Sequence, residues 1–405
     1  MSRSRTRRMS HVPVLATRIA AAVAIVVLAV TALVAWGRQH DGGTAPPRVA
    51  GASPSTDSQW VTKSGSSLRL AGAPWRFTGV NMYWLGLDDN VRDAHGPTYP
   101  THAAVDSGLD SAVALGSRVV RATTLGVSVG SPRSVEPSLG HINQAAFDSI
   151  DYAVSAARQR GLRLMIPLTD QWQYYEGGKH TFTAWRGHAD LPGQTVSTSG
   201  EQRQIESAFY TDPTVIADFH RYISVLLDHK NPLTGLRLGD DPTIAVWETG
   251  NELWDAPPAW TEQTAAFIKT KAPHALVADG SVASGAQVDG NARADLPHVD
   301  IIDAHYYPRQ VDKARSDAKL ATDNGKVFVV GEYPLSGSGL TDWMSGLAAN
   351  PSVSGDLAWS LLPRGAAGEP EPHADGYTFH YPGANDAEKA QDRAVIVHAR
   401  AMNAG

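Results

Sequence analysis

Asp241-Pro242-Thr243-Ile244-Ala245-Val246-Trp247-Glu248-Thr249-Gly250-Asn251-Glu252-Leu253 is a short apolar run that ends on an amide and a carboxylate. Its central residues, Ile244 to Trp247, show no alternation of polar and apolar side chains. A strand of that kind must be covered on both faces, which is the condition of a parallel sheet wrapped by helices. Val327-Phe328-Val329-Val330-Gly331-Glu332-Tyr333-Pro334 has the same form later in the chain, an apolar run ending in a carboxylate. When such strands close into a barrel, side chains beyond their C-terminal ends build the reactive face. Asn251, Glu252 and Glu332 are therefore the first candidates for chemistry.

Working outward from these two segments, short apolar runs alternate with helical patterns, the signature of parallel strands joined by crossover helices. Strands are expected at Arg76 to Asn81, Arg118 to Thr124, Leu162 to Thr169, Thr243 to Thr249, Ala275 to Asp279, Val299 to His305, Lys326 to Glu332 and Asp356 to Leu361. The expected fold is an α/β (β/α)8 barrel of the TIM type. Helices are expected at Asn143 to Arg160, Pro213 to His229, Pro258 to Lys271 and Asp386 to Met402. The first has the clearest period, with Phe147, Ile150, Tyr152, Val154 and Ala157 on one broad face and Gly161 as its stop. Trp60 to Ala73 reads as a hairpin turning at Lys63-Ser64-Gly65-Ser66, placed to close the bottom of the barrel. Two connections that follow strands are too long for simple turns. Asp170 to Tyr210 carries Trp172, Tyr174, Tyr175, Phe182 and Trp185, and Pro363 to Asn385 carries Tyr377, His380 and Tyr381. Rings on such loops can stack on flat ligands or simply pack the loop onto the barrel.

Before the barrel, Arg3, Arg5, Arg7, Arg8 and Arg18 precede an uncharged run from Ile19 to Trp36. At about 18 residues the run is short for a membrane-spanning helix and long for the apolar core of a signal peptide. Both readings stay open, and both place the barrel outside the membrane, with the basic cluster inside. The expected division is a signal peptide or membrane anchor over 1–37, a Gly-, Pro- and Ser-rich flexible linker over 38–58, and the barrel over 59–405. Across 405 residues the formal charge is −6, so there is no basic excess to hold nucleic acid. The absence of cysteine excludes thiol catalysis, thiolate metal sites and disulfides.

Two carboxyl groups on one reactive face fit cleavage of a glycosidic bond. With retention of configuration they lie about 5 to 5.5 Å apart, one acting as nucleophile and the other as acid and then base. Asn251-Glu252 after the fourth strand, His305-Tyr306-Tyr307-Pro308 after the sixth and Gly331-Glu332 on the seventh together resemble glycoside hydrolase family 5. The resemblance runs from about Gln59 to the C-terminus. Within the family it is strongest to the endo-β-1,4-mannanases, through Phe77-Thr78-Gly79-Val80-Asn81-Met82-Tyr83-Trp84, through Trp172 with Gly177-Gly178, and through Asp240-Asp241-Pro242-Thr243-Ile244.

The resemblance implies Glu252 as acid/base and Glu332 as nucleophile. An ionised Glu332 nearby is expected to raise the pKa of Glu252 and keep it protonated until the intermediate forms. Asn251 would bind the sugar 2-hydroxyl. Arg121 would hold Glu332 ionised, or form a structural pair with Glu248. Tyr307 would donate to Glu332, with His305 on the same floor. Trp359 would be the platform under the glycone sugar or a core residue, and Trp84 and Trp172 would serve neighbouring subsites. The expected partner is a β-linked polysaccharide or oligosaccharide, met by a monomer that needs no cofactor and no metal.

Asp170-Gln171, Thr249-Gly250 and Leu253 depart from the mannanase pattern, so an exo-acting β-mannosidase or another β-glycanase stays open. Among other classes, the histidines show no His-Glu-x-x-His spacing for a metal hydrolase. Ser336-Gly337-Ser338-Gly339 lacks the apolar strand that a serine elbow needs. A carbohydrate-binding barrel without catalysis remains as the non-enzymatic reading.

Overall fold

In the computed structural model the described residues are 59–188, 200–253, 256–281, 295–365, 368–373 and 375–404. The apolar run Ile19 to Trp36 and the linker expected up to Ser58 lie outside them. Among the described residues, no helix is long and apolar enough to cross a membrane.

The described residues open with a three-stranded antiparallel sheet, β1 Val61–Ser64, β2 Ser67–Leu70 and β3 Ala73–Trp75. Next come β4 Phe77–Asn81, a hairpin of β5 Asp88–Asp93 and β6 Gly96–Thr98, α1 His102–Ala114, β7 Val119–Arg121, α2 Ala145–Gln159 and β8 Arg163–Pro167. Then follow α3 Lys179–Trp185, α4 Gly200–Thr211, α5 Pro213–Asp228, β9 Ile244–Glu248, α6 Pro258–Lys271, β10 Leu276–Asp279 and β11 Ile301–His305. The last part holds α7 Val311–Asp323, β12 Val327–Pro334, α8 Leu340–Ala349, β13 Val353–Trp359, β14 Leu361–Leu362, β15 Phe379–His380 and α9 Asp386–Asn403.

The strands β4, β7, β8, β9, β10, β11, β12 and β13 close into one parallel barrel. All eight overlap the expected runs, though β7 ends at Arg121 and passes into a 3-10 turn, Thr123–Leu125, β12 runs on to Pro334, and β13 starts at Val353, three residues before expected, and ends at Trp359. Every residue of β4, β9, β11 and β12 is buried, which is why these runs carry no alternation. The amino-terminal hairpin acts as a plug. Val61, Leu68 and Trp75 pack with Phe77, Val119, Met165, Leu276, Ile301 and Val327 near the strand N-termini, sealing that end with apolar surface.

Local signals set the helix ends. Thr101 accepts from the Ala104 N–H to start α1, and Asp212 accepts from Thr214 with Pro213 at the first position of α5. Gly161, with φ +69°, turns the chain out of α2 into β8. At Gly79 a Cβ would lie 1.9 Å from the Val119 carbonyl oxygen, so glycine is what lets β4 approach β7. The long connection from Asp170 to Tyr210 is not a loop throughout, since it contains α3 and α4.

Candidate active site

The opposite end of the barrel is an open cleft of about 740 Å³. It is lined by Asn251, Glu252, Glu332, Tyr307, Trp172 and Trp359, together with Tyr83, Asp170, Glu176 and the loop rings Tyr174, Tyr175 and Tyr377. Beyond β9 the backbone stays tied to its neighbours. The Asn251 N–H donates to the Thr169 carbonyl at 2.8 Å, and Gln171 donates to the Asn251 carbonyl at 2.9 Å. Asn251 is thus held like a strand residue although the strand has ended. One residue on, Glu252 has φ +49°, a left-handed conformation that a residue with a Cβ adopts only at a cost of order 1–3 kcal/mol. That turn swings its carboxyl over the cleft. Glu332 arrives differently. Pairing of β11 with β12 slips between Ala304 and His305, so that His305 faces Glu332, and the bulge brings both side chains to the floor.

Arg121 is fully buried beneath them and organises the floor. Its Nη1 donates to Glu332 Oε1 at 2.8 Å and its Nη2 to Asn251 Oδ1 at 2.8 Å. The Nε and Nη2 also reach the two oxygens of Glu248 at 2.9 and 3.1 Å. The one side chain thus contacts both Glu332 and Glu248. Burial opposes charge on the guanidinium, but Glu248, Glu332 and Asp303 outweigh that and raise its pKa. Glu248 is pushed up to about 8 by burial, against the pull of Arg121.

Each glutamate receives two donors. Glu332 takes Arg121 and the Tyr307 hydroxyl, the latter at 3.1 Å on Oε2. Glu252 takes the Trp172 indole N–H at 2.7 Å on Oε2 and His305 Nδ1 at 2.8 Å on Oε1. His305 also stands 3.5 Å from Glu332 Oε2, and one ligand oxygen from each glutamate and the imidazole nitrogen all lie within 4.8 Å of one another. Such a cluster has the spacing of a metal site. His305 faces both carboxyl groups there, and Arg121 pairs with Glu332.

The electrostatics correct the expectation that Glu332 raises Glu252. Burial pushes Glu252 up, but the hydrogen bonds from His305 and Trp172 and the imidazole charge outweigh it, leaving Glu252 below its ordinary value. Burial holds Glu332 above its ordinary value despite His305 and Arg121. Burial opposes charge on His305 too, yet Glu332, Asp303 and Glu252 raise its pKa well above the usual imidazole range. These opposite shifts favour the proton on His305 over Glu252, across a 2.8 Å hydrogen bond.

Of the tryptophans, Trp359 lines the cleft, stacks on Tyr83 with centroids 5.5 Å apart and an angle of 16°, and donates to Asp375 at 2.8 Å. Trp172 lines the cleft beside Glu252. Trp84 does not reach it: the ring is wholly buried against Gly108 of α1, and its N–H donates to the Leu361 carbonyl at 3.0 Å. After β4 the chain points Tyr83 to the cleft and Trp84 to the core. Among the other loop rings, Phe182 is buried core with Trp185 against it, while Tyr377 lies 5.2 Å from Tyr307.

Sequence reasoning missed Glu176, His373 and Asp375, which lie on long connections without a pattern to mark them. Glu176 is buried, one carboxyl oxygen has no hydrogen-bond partner, and burial lifts its pKa from 4.5 to about 8. Between those values the folded form holds a proton that the unfolded chain has released, so stability falls as pH rises from about 4.5 to 8. Glu176→Gln removes this loss. Its melting temperature should exceed wild type by at least about 2 °C at pH 8 and converge with it near pH 4.5, as followed by thermal denaturation.

A parallel barrel with two carboxyls facing each other over a buried arginine, at the C-terminal ends of its fourth and seventh strands, has the site plan of the barrel glycoside hydrolases. The chain belongs to glycoside hydrolase family 5: the family described as GH family 5 beta-mannosidase-like matches residues 58–322. Its relatives include mannan endo-1,4-beta-mannosidase 2 of Oryza sativa subsp. japonica, 32% identical over 218 residues, covering 52% of this chain and 45% of that protein. Mannan endo-1,4-beta-mannosidase 1 of Solanum lycopersicum is 26% identical over 370 residues, covering 79% and 87%. The chain spans about half the length of several of the plant relatives it matches. The crystal structure of a family 5 mannosidase from Rhizomucor miehei superposes with a TM-score of 0.71 at 19% identity, covering 85% of this chain and 98% of that one, a likeness of fold.

Proposed function

We propose that this protein is a retaining glycoside hydrolase that cleaves β-linked mannose-containing polysaccharide or oligosaccharide by double displacement. The reading is carried by the placement of Glu252 and Glu332, with an oxygen of each within 4.8 Å of the other, on the retaining side of the separations that divide the two stereochemical courses. Their partners divide the roles. Arg121 cannot give up a proton, so the carboxylate it holds suits a nucleophile. His305 can, so Glu252 suits the group that changes protonation twice in a cycle.

In the first step a Glu332 oxygen bonds to the anomeric carbon while the glycosidic C–O bond breaks and Glu252 passes a proton to the leaving oxygen. In the second, Glu252 takes a proton from water, which bonds to the anomeric carbon and releases Glu332. Asn251, fixed by Arg121 and by Asp170 at 3.2 Å, meets the 2-hydroxyl, and Trp359 carries the apolar face of the glycone. The mannan-type relatives support mannose in the glycone site. The basic residues ahead of Ile19 to Trp36 support export, with the barrel secreted or anchored outside the membrane.

Proton NMR of a β-mannooligosaccharide digest should show the β-anomer of the new reducing end first and the α-anomer only later, by mutarotation. An initial α-anomer would overturn double displacement. Chromatography of the same digest separates exo action, which releases mannose from the first minutes, from endo action, which gives mixed oligomers.

A further inference from the structure

We infer that Asp303 is a positioning residue that, through His305, readies Glu252 as the acid of this reaction. Asp303 and His305 are two apart on β11 and so point to the same, inner side of the barrel. Asp303 is buried, and neither of its carboxyl oxygens has a well-formed hydrogen bond. Its nearest cations are His305 Nε2 at 3.4 Å and Arg121 Nε at 3.9 Å. A buried carboxylate without a full hydrogen bond is costly, and a fold keeps one where its charge serves a neighbour. Gly331, immediately before Glu332, leaves it room: a Cβ there would lie 2.2 Å from both carboxyl oxygens.

Attraction by Asp303 keeps a proton on Nε2, and the second imidazole proton then sits on Nδ1, directed at Glu252 Oε1 at 2.8 Å. During bond cleavage the Nδ1 proton passes to Glu252 and from Glu252 to the leaving oxygen. His305 ends neutral, still turned to Asp303 through Nε2–H. When Glu252 takes a proton from the attacking water, the proton returns to Nδ1 and the charge distribution is restored. The groups facing the imidazole are Glu252, Glu332, Asp303 and Glu248 with the cation Arg121. Asp303 is the carboxylate among them that meets the imidazole at Nε2 and is left without a full hydrogen bond.

The inference deepens the proposed function and is tested by Asp303→Asn, which keeps the shape and deletes the charge. Removing a negative charge beside an imidazolium makes its proton leave at lower pH. The basic limb of kcat/KM on a β-mannoside should therefore move down by about one to three pH units, the range for loss of an opposite charge at this distance. A purely structural role would lower the plateau and leave the limb in place, which would overturn the inference. In the His305→Gln background Asp303→Asn should move the limb no further, and an equal shift there would also count against it. Nitrogen and carbon NMR of the His305 ring, assigned by its loss in His305→Gln, reads the same midpoint without turnover. A midpoint that falls in Asp303→Asn, in a protein that cleaves no glycoside, sinks the functional reading and leaves the Asp303–His305 coupling standing. Cleavage with an unmoved midpoint does the reverse.

Discussion

Glu332→Ala should reduce kcat/KM on a β-mannooligosaccharide by about 10⁴-fold or more, the scale on which removing a covalent nucleophile acts. Without that carboxylate no glycosyl-enzyme bond forms, and neither Tyr307 nor Arg121 can replace it. The fold should survive, because Arg121 keeps its two contacts to Glu248 and its contact to Asn251. The vacated space lies on the α face of the anomeric carbon. Azide supplied with an aryl β-mannoside carrying a good leaving group should therefore restore turnover and yield the α-glycosyl azide, identified by NMR. A variant as fast as wild type, or a β-azide product, would exclude Glu332 as the nucleophile.

The barrel was legible because its strands are buried on both faces, which forces unbroken apolar runs such as Val327 to Val330. The two carboxylates were legible because each closes such a run. What sequence alone could not supply is what the bulges and turns after the strands do. Nothing in Asn251-Glu252-Leu253 announces that Glu252 is left-handed, or that Leu253 folds beneath Gly250 into full burial. Yet two of the departures from the mannanase pattern are explained there together, since a Cβ at Gly250 would lie 2.6 Å from Leu253 Cδ1. The departure at Asp170 is likewise accounted for, because its carboxyl accepts both the Asn251 side-chain amide and the Trp172 N–H.

The misplacement of Trp84 has a different origin. Tyr83 and Trp84 are adjacent rings after one strand, and which faces the cleft depends on the backbone path beyond Asn81, not on ring type. The charge balance at Glu252 was not legible for a third reason. Pairing the two glutamates alone left out His305, which supplies the charge that both of them feel. Asp303 did carry a signal, its two-residue spacing from His305 on an inward-facing strand, but only the register with Gly331 gives that spacing a meaning.

Glu252→Ala should show a loss that depends on the leaving group, and this dependence separates it from Glu332→Ala. Unactivated oligosaccharide needs a proton on the departing oxygen, so kcat/KM there should fall by about 10²–10⁴-fold, the usual worth of a general acid. An aryl glycoside with an acidic phenol leaves without help, and its first step should proceed at close to the wild-type rate. The second step still lacks its base, so glycosyl-enzyme should accumulate, visible as a phenol burst followed by slow turnover and as a mass increase of one sugar on the intact protein. Azide needs no general base and approaches from the side Glu252 occupied, so it should accelerate turnover and give the β-glycosyl azide. An equal loss on activated and unactivated substrates would mean that Glu252 acts on ground-state binding. In that case its hydrogen bonds to Trp172 and His305 would be scaffolding for the cleft and not the path of a proton.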